Sequence, residues 1–549
     1  MIIRFSRRAL PAVAAAALLA ACTSSGGTTA ASTAASTAAS TAAPSPAETA
    51  SATATPTPTP TATPTPTVKP TGQADPALQA FYGQQLVWAA CKDDPKTEKT
   101  DESAVQCTTL KVPLDYADPG GDTLDVGVAR LGSAKPGQRT GSLVVNPGGP
   151  GGSGVSMVQL GQKDYDGPLR DHYDIVGFDP RGSDLSAPIN CLDDKTRDTW
   201  LTTDDLGPEH GKVLADACQA KYGKLLEHIG TRDTVRDMDV LRAALGDQKL
   251  NYLGLSYGTY IGSVYAEEFP DRVGRLVLDG AVDPAKPLAA NNIEQYAGFE
   301  RSLRAFAAHC AKQAQCPLGK DPEKAPGKLA DFLDGLKQKP LTTKDGRVLT
   351  STAAWTGVIK RLYGDESSWD ALANSLGWAM LRGKGDNLLA YADSYNERDE
   401  DGHYSASADA YTAVYCADGA TDVPTGDALQ AAYAEMAAKA PLISRHEPGA
   451  ALFDPDCRNW PFRSPEKAHA ITSKAATPIV VVGSTGDAAT PYANAEKLAA
   501  QLGNAVLLTR EGEGHTGYGL SECIRTAVHA FLVDGTVPAA GTRCASDAP

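Results

Sequence analysis

The chain has 549 residues, which is long enough for a large enzyme domain with an insertion. It carries 66 acidic and 51 basic side chains, and its net charge is −15. This balance argues against nucleic acid as a partner, because a phosphate backbone is bound by clustered lysine and arginine. It is typical of an exported soluble protein, although solubility alone accounts for most of the charge.

Residues 1–22 have the pattern of an export signal. A basic head with three arginines precedes the apolar stretch Ala9–Leu19, which is too short to span a bilayer as a permanent helix. The closing Leu19-Ala-Ala-Cys22 is similar to a bacterial lipobox. We therefore expect Cys22 to be diacylated and to anchor the protein at the outer face of the cell membrane. The alternative is a plain secretory signal with an incidental cysteine, which would make the protein secreted.

Residues 23–74 are predicted to be a disordered linker. Nearly all of this segment is Ala, Ser, Thr and Pro, and Thr55–Thr67 is largely Thr-Pro. Such a composition cannot bury a core, and alternating prolines favour an extended polyproline II conformation. We expect a stalk with no chemistry of its own.

Ten of the eleven cysteines remain once Cys22 is set aside. An even number in an exported chain indicates disulfides, and the lack of a C-x-x-C pair in the sequence argues against structural zinc. We expect neither a metal nor a cofactor. The sequence leaves the connectivity open, and we expect neighbours to pair as 91–107, 191–218, 310–316, 416–457 and 523–544.

From residue 75 onward, strand-like segments alternate with helix-like ones, which indicates an α/β fold with a mostly parallel sheet. Strands are predicted at Thr108–Tyr116, Thr123–Ala129, Gly141–Asn146, Tyr173–Phe178, a run ending at Leu255, Arg275–Leu278, Pro478–Gly483 and Ala505–Thr509. Helical patterns cover Thr231–Leu245 and Thr259–Phe269.

Gly254-Leu-Ser-Tyr-Gly258 is the most informative motif in the chain. It fits the G-x-S-x-G nucleophile elbow, in which a strand turns sharply into a helix and exposes a serine hydroxyl. Residues bulkier than glycine would collide across so tight a turn. The motif alone is common by chance, but here an apolar run comes before it and a helix-compatible segment follows. We predict that Ser256 is the nucleophile of a serine hydrolase.

Residues 284–464 separate the early strands from the last two and show helical spacing of Ala, Leu and aromatic residues. The strands on either side look like parts of one sheet. We therefore interpret the segment as a helical cap inserted into a core made of residues 75–283 and 465–549. A separate tandem domain is the alternative.

A serine hydroxyl needs a base to take its proton, and the base needs an acid to orient it. Elbow enzymes carry the three residues in the order Ser, Asp or Glu, His. Asp487 follows an apolar strand, and His515 lies in a glycine-rich loop after the last predicted strand. We predict Asp487 as the acid and His515 as the base. Capping of the next helix is the alternative role for Asp487, and Thr490 is placed to hydrogen-bond within the same loop.

The reaction also needs two N–H donors for the developing oxyanion. One is expected from the backbone of Tyr257, directly after the nucleophile. The other is expected from Gly149, because Gly148-Gly-Pro-Gly-Gly152 lets the backbone come close. A phosphate loop is the alternative for this glycine run, but no Gly-Lys-Ser/Thr follows it.

Four motifs together resemble the secreted tripeptidyl aminopeptidases, which are α/β hydrolases related to proline iminopeptidases. They are Asn146-Pro-Gly-Gly-Pro-Gly-Gly-Ser-Gly154, Phe178-Asp-Pro-Arg-Gly182, Gly254-Leu-Ser-Tyr-Gly-Thr259 and Gly514-His515, and the resemblance covers roughly residues 80–545. It implies an α/β-hydrolase fold with a large helical cap. It also implies a serine exopeptidase that removes short peptides, often tripeptides, from free N-termini. The roles of Ser256, Asp487 and His515 carry over.

Two positions depart from this pattern. Proline iminopeptidases begin the glycine loop with histidine, whereas Pro147 stands here, which favours the tripeptidyl branch. The acid loop reads Asp487-Ala-Ala-Thr-Pro491, where Asp-Pro-x-Thr-Pro is common in the family. We expect the missing proline to alter the stiffness of the loop more than its chemistry.

An aminopeptidase must bind the substrate's ammonium, and carboxylates of the cap are the natural means. The candidates are Glu294, Glu300, Glu397 and Asp418, each with a solvated or structural role as the alternative. Asp418 is favoured because Cys416 would fix its backbone. Two other functions remain open: an esterase or lipase with the same triad, and a surface binding protein on a decayed hydrolase scaffold. The intact order of Ser, Asp and His argues against the second.

Overall fold

A ten-stranded sheet lies at the centre of the computed structural model, which describes residues 72–91, 105–205, 208–419, 424–445, 457, 459–464 and 466–547. The predicted signal, Cys22 and the linker up to residue 71 lie outside the described residues. The lipid anchor and the stalk therefore stay predictions.

The sheet is parallel over most of its width. In chain order the strands are β1 (Ala89–Ala90), β2 (Val105–Pro113), β3 (Thr123–Leu131), β4 (Gly141–Asn146), β5 (Tyr173–Phe178), β6 (Leu250–Leu255), β7 (Val273–Asp279), β8 (Leu341–Thr342), β9 (Val348–Leu349), β10 (Ile479–Gly486), β11 (Ala505–Glu513) and β12 (Arg543–Ala545). Their spatial order in the large sheet is β1-β2-β3-β5-β4-β6-β7-β10-β11-β12, while β8 and β9 form a separate pair. Pairing is antiparallel from β1 to β5 in this order and parallel from β5 to β12. The predicted α/β fold with a mostly parallel sheet is confirmed.

Helices flank the sheet and fill the long segment between β7 and β10. The α-helices are α1 (Gln79–Tyr82), α2 (Gly154–Leu160), α3 (Pro168–His172), α4 (Asp194–Thr202), α5 (Pro208–Tyr222), α6 (Thr231–Ala244), α7 (Gly258–Glu268), α8 (Leu288–Lys312), α9 (Ala325–Gln338), α10 (Ser351–Leu362), α11 (Glu366–Arg382), α12 (Asp386–Tyr395), α13 (Ser407–Gly419), α14 (Gly426–Lys439), α15 (Tyr492–Leu502) and α16 (Glu522–Asp534). Within the described ranges, none of the helices combines the length and the apolarity needed to cross a bilayer.

Alternating side chains of the central strands enter two cores, one on each face of the sheet. On β7, Leu276 and Leu278 pack in one core and Val277 in the other. This is the period of two that a strand imposes. All residues of β4 and β5 are buried, as expected of parallel strands that helices cover on both faces. Both strands have the predicted bounds.

The helical insertion, α8–α14, has an apolar core of its own, which includes Phe306, Leu329 and Trp369. The strands on either side of it, β7 and β10, pair directly, with Ile479 opposite Leu276. The insertion therefore interrupts a single sheet. The bounds predicted for the core and the cap stay predictions.

The ten cysteines outside the predicted signal form five disulfides with the predicted neighbour pairing, 91–107, 191–218, 310–316, 416–457 and 523–544. The bond from Cys416 ties down the end of α13, and that from Cys523 joins α16 to β12. Disulfides persist in oxidising surroundings, so this number of them indicates a protein that folds outside the cytosol.

Candidate active site

Ser256 lies in the sharp turn between β6 and α7. Its φ is +55°, a left-handed conformation that few residues other than glycine adopt and that is often found at functional turns. A Cβ on Gly254 would lie 2.4 Å from the ring of Tyr252, and one on Gly258 would lie 2.9 Å from Asn146 Oδ1. Both glycines of the elbow are therefore required by close packing, as the motif predicts.

Asp279, the last residue of β7, connects the nucleophile turn to the histidine loop. Its carbonyl oxygen accepts the Ser256 N–H at 2.8 Å. Its buried carboxylate accepts the N–H of Gly517 at 2.8 Å and that of Tyr518 at 2.7 Å. Burial raises the pKa of Asp279 to about 6, although these hydrogen bonds act in the opposite direction. Sequence reasoning missed this residue, and its place at the end of a parallel strand beside the elbow was a usable signal.

Asp487 and His515 form a hydrogen-bonded pair in the loops after β10 and β11. His515 Nδ1 lies 2.9 Å from Oδ2 and 3.0 Å from Oδ1 of Asp487. An ionised carboxylate only accepts, so Nδ1 carries the hydrogen. The carboxylate of Asp487 also accepts the N–H groups of Ala489, Thr490 and Thr516 at 2.8–3.0 Å. These bonds hold the carboxylate in one orientation against the imidazole.

Thr490 adds a side-chain contact to this loop, as predicted. Its hydroxyl donates to Asp487 Oδ2 at 3.0 Å and lies 3.2 Å from His515 Nδ1. The residue at the N-cap of α15 is Pro491 rather than Asp487. The Asp487 carboxylate therefore bonds its own loop and the histidine, and does not occupy the N-cap of the next helix.

Each member of the pair stabilises the charged form of the other. Burial disfavours the imidazolium, yet the charge and hydrogen bond of Asp487 outweigh it and raise the pKa of His515 above its ordinary value. Burial likewise opposes ionisation of Asp487, but His515 and the N–H donors hold the pKa of this carboxyl below its usual value. His515 Nε2 is buried and has no hydrogen-bond partner among the described residues. A neutral ring thus has a free lone pair on Nε2 that can take a proton.

Gly280 brings the histidine close to the nucleophile turn. It follows Asp279, whose carbonyl oxygen bonds the Ser256 N–H, and its φ is +74°. A Cβ on Gly280 would lie 3.2 Å from His515 Cε1. The bare backbone therefore lets the imidazole pack next to the chain that holds the serine. Ser256, Asp487 and His515 each follow a strand at the carboxyl edge of the sheet, but no hydrogen bond joins Ser256 to His515 Nε2 among the described residues. The catalytic roles of the three residues stay predictions.

The glycine loop after β4 packs against the elbow. A Cβ on Gly148 would lie 2.7 Å from the Tyr257 nitrogen. The Gly148 N–H is already used, because it donates to Asn146 Oδ1 at 2.9 Å. The N–H groups of Gly149 and Tyr257 have no hydrogen-bond acceptor in the part of the chain that the structure describes. Both are free donors beside Ser256, which is what the predicted oxyanion site requires.

Asp179 and Arg181, from the second family motif, support this loop. Asp179 is buried and accepts the Ser153 hydroxyl at 2.6 Å and the Val155 N–H at 3.1 Å, just after the glycine run. The buried Arg181 donates two hydrogen bonds, of 2.6 and 2.7 Å, to Asp237. Burial raises the pKa of Asp179 to about 6. The hydrogen bonds of this motif therefore stabilise the fold next to the glycine loop.

The helical insertion also holds the histidine loop. The His515 N–H donates to the carbonyl of Tyr363, beyond the end of α10, at 2.8 Å. The Tyr363 ring packs edge-on against the imidazole, with 5.5 Å between centroids. Arg301 of α8 forms an ion pair of 3.0 Å with Glu513, the last residue of β11, directly before this loop. Sequence reasoning missed these contacts, because no local motif marks them.

Ser256 lines a cavity of about 560 Å³, a size typical of small-ligand sites. Tyr257 and Gly149 lie on its sheet side, and Tyr411 and Asp418 of α13 lie on the side of the insertion. In the described residues, no group of three or more His, Cys, Asp or Glu side chains could hold a metal ion. The cavity therefore combines a serine, two free N–H donors and polar side chains of the insertion.

Of the four carboxylates considered for ammonium binding, Asp418 lines this cavity and the other three do not. Glu294 forms an ion pair with Lys286. Glu300 is buried and accepts backbone N–H groups of the insertion, and Glu397 accepts a serine hydroxyl. The preference for Asp418 agrees with its position.

The family match and the individual relatives of this chain agree with each other. Residues 447–544 match the family described as TAP-like protein. The serine protease Hip1 of Mycobacterium tuberculosis is 38% identical over 493 residues, which cover 86% of this chain and 92% of the relative. Carboxylesterase B of the same species is 37% identical, with 84% and 90% covered. A tripeptidyl aminopeptidase of Streptomyces lividans is 32% identical, with 84% and 87% covered.

Proposed function

Since this chain belongs to the tripeptidyl aminopeptidase-like family of α/β hydrolases, and is a hydrolase with serine-protease relatives, we propose that it is an exported serine aminopeptidase. It releases short peptides, chiefly tripeptides, from substrates with a free N-terminus. The observation that supports this most is the Asp487–His515 pair, whose Nε2 has no hydrogen-bond partner among the described residues and which follows strands at the same carboxyl edge of the sheet as the strained Ser256.

In this proposal Ser256 Oγ attacks the carbonyl carbon of the scissile peptide bond while His515 Nε2 takes the hydroxyl proton. The oxyanion accepts hydrogen bonds from the N–H groups of Tyr257 and Gly149. Collapse of the tetrahedral intermediate breaks the C–N bond, and the leaving amine receives the proton from His515. Water, deprotonated by the same imidazole, then hydrolyses the acyl-enzyme. Asp487 keeps the hydrogen on Nδ1 throughout, so that Nε2 is the nitrogen that exchanges protons.

The helical insertion acts as the cap of this site, over the predicted range 284–464. Its residues Tyr411, Tyr415 and Asp418 line the same cavity as Ser256, which supports the proposal. The predicted lipid anchor at Cys22 would place the cap and its cavity outside the cell, and the five disulfides agree with export.

The test compares kcat/KM for three substrates of one acyl sequence: a tripeptidyl-anilide, its N-acetylated form and a p-nitrophenyl ester. The aminopeptidase should cleave the free anilide and lose most of that turnover on acetylation, because the ammonium is part of what it binds. If acetylation leaves anilide turnover unchanged, the exopeptidase proposal is wrong. The Ser256→Ala variant serves as the background control for each substrate.

An esterase is the second candidate, because the relative named Carboxylesterase B is almost as similar as Hip1. Rapid ester turnover with negligible hydrolysis of any anilide would favour it. A non-catalytic binding protein is the remaining alternative. It predicts that a fluorophosphonate probe fails to label the protein, whereas the peptidase and the esterase are both labelled and lose the label in Ser256→Ala.

A further inference from the structure

Asp418 is a carboxylate in the cavity wall, close to the nucleophile turn. It lies near the end of α13, two residues after Cys416, whose disulfide fixes the local backbone. Its Oδ2 accepts the Tyr257 hydroxyl at 2.7 Å. Because Tyr257 directly follows Ser256, the carboxylate lies one tyrosine side chain away from the predicted oxyanion donor.

No described residue supplies a counter-charge to Asp418 within ion-pair distance. Its hydrogen-bond donors among the described residues are Thr231 and Tyr257, and no ion pair involves it there. The basic side chains Arg232 and Arg236 line the same cavity and both pair with Glu268, at 3.4 and 2.8 Å. These two cations therefore already have a carboxylate partner, while Asp418 has no cationic partner among the described residues.

The surroundings make this charge costly in the absence of a ligand. Burial raises the pKa of Asp418, although its hydrogen bonds with Thr231 and Tyr257 act in the opposite direction. A carboxylate offers about four acceptor positions, so these donors leave room for another. A cationic N–H donor supplies both the missing hydrogen bond and the missing charge, and charge-assisted bonds of this kind are strong.

We infer that Asp418 forms a cation-binding subsite that selects peptides with a positively charged nitrogen near the scissile bond. The inference rests on the proposed peptidase function and names the substrate feature that the site recognises. Two groups provide this chemistry: the α-ammonium of the peptide, or the side chain of a lysine or arginine whose carbonyl is attacked. An extended tripeptide spans at most about 10 Å, so both groups stay close to the attacked carbonyl. Asp418 lines the same cavity as Ser256.

A purely structural role is the competing explanation. Asp418 accepts the N–H of Thr231, the first residue of α6, at 3.0 Å, and the residue at the N-cap there is Gly230, which has no side chain. The Asp418→Asn variant separates the two roles. Asparagine keeps an acceptor for the helix N-terminus but removes the negative charge that a cation requires.

The experiment uses the full-length protein and four anilides: Ala-Ala-Lys and Ala-Ala-norleucine, each with a free or an acetylated N-terminus. Norleucine keeps the apolar stem of lysine without its ammonium. If the subsite binds the α-ammonium, Asp418→Asn lowers kcat/KM of the free norleucine substrate by about 10- to 100-fold. If it binds the side chain, the same loss falls on the acetylated lysine substrate. The acetylated norleucine substrate has no cation and stays within about twofold.

The matched control is Asp331→Asn, which removes the same charge from an exposed position on the surface of the insertion. It should leave all four rates unchanged. An equal loss on all four substrates in Asp418→Asn, or no loss on any, overturns the subsite. If Asp418→Asn folds poorly, the wild-type values of kcat/KM are the test. If no cationic substrate is cleaved at least about threefold better than the acetylated norleucine substrate, the subsite is also overturned.

Failure of the subsite and failure of the proposed function give different results. A wild-type protein that cleaves none of the anilides and resists the fluorophosphonate probe refutes the peptidase itself. The subsite alone is refuted if the wild-type protein cleaves anilides and is labelled at Ser256, and Asp418→Asn is labelled at the same rate but loses no turnover selectively on cationic substrates.

Discussion

The two sides of the cavity are built differently. At the sheet edge, main-chain groups and bare glycines position the residues predicted to react: the Asp279 carbonyl bonds the Ser256 N–H, and Gly280 lies against the His515 ring. On the side of the insertion, side chains do most of the positioning, as in the bond from Tyr257 to Asp418 and the disulfide from Cys416.

We expect this difference to separate the groups that carry out the reaction from the groups that recognise the substrate. Main-chain positions are set by strand pairing and close packing, which tolerate little change, so the sheet edge suits groups that must meet at bonding distance. Side chains of an inserted segment can change without disturbing the sheet, so the insertion suits groups that recognise a substrate. Variants of the sheet edge should therefore reduce the rate of the chemical step, and variants of the insertion should change substrate preference.

The largest effect is expected at the nucleophile and the base. Ser256→Ala and His515→Ala should each lower kcat by about a millionfold, because members of a triad act as a unit. The double variant should lose hardly more than either single one. Anilide turnover checks the rates, and a thermal melt should show little change in Tm. Additive losses in the double variant would contradict a shared mechanism.

Asp487→Asn should lower kcat by about 10⁴-fold, because the amide stabilises the wrong tautomer of His515 and no longer stabilises the imidazolium. The wild-type pH profile follows from the raised pKa of His515: the base is protonated at low pH, so kcat/KM rises through a pKa above the ordinary histidine value. In the variant this acid limb should move to lower pH. If the acid limb of the kcat/KM profile stayed in place in Asp487→Asn, a group other than His515 would be responsible for it.

Gly148→Ala tests the close contact of the glycine loop with the elbow. The new Cβ would lie 2.7 Å from the Tyr257 nitrogen, so the oxyanion donors must move, and kcat should fall by about 10²- to 10³-fold. Gly167→Ala is the matched control, because its φ of +87° is close to the +86° of Gly148 but a Cβ there meets nothing within 4 Å. Equal rate losses in the two variants would mean that backbone strain, rather than the contact, is responsible.

The smallest effect on chemistry is expected from removing the disulfide of the insertion. Cys416→Ser with Cys457→Ser should reduce the free energy of unfolding by about 2–4 kcal/mol and raise KM for peptide anilides. The rate of fluorophosphonate labelling at Ser256 should change little. The control is Cys310→Ser with Cys316→Ser, which opens a shorter loop elsewhere on the insertion. A large fall in labelling by the first pair alone would show that the insertion also supports the chemical step.

Local patterns account for the elements that were predicted well. The strands β4 and β5 are short apolar runs with turn residues at both ends, and the elbow is a contiguous motif that follows an apolar run. The loops of Asp487 and His515 were found because each follows an apolar strand at a known place in the chain order. Nothing in these patterns depends on knowing which distant segments meet.

The contacts that were missed all join remote parts of the chain. The Tyr257 hydroxyl and Asp418 are 161 residues apart, and Gly517 is 238 residues from Asp279. Tyr363, just beyond the end of α10, supports His515 although the two share no sequence motif. Contacts of this kind depend on how whole elements pack. Apart from the place of Asp279 at the end of a strand beside the elbow, a single sequence holds no local signal for them.

The sequence by itself determined the α/β fold class and predicted the type of reaction site, because strand patterns, a serine elbow and the chain order of an acid and a base can be read without coordinates. Only the tertiary structure decided which carboxylate lies beside the nucleophile and which groups hold the histidine loop. The physical reason is that residue types and turns follow from short-range sterics, whereas burial, counter-charge and distance are properties of the packed chain.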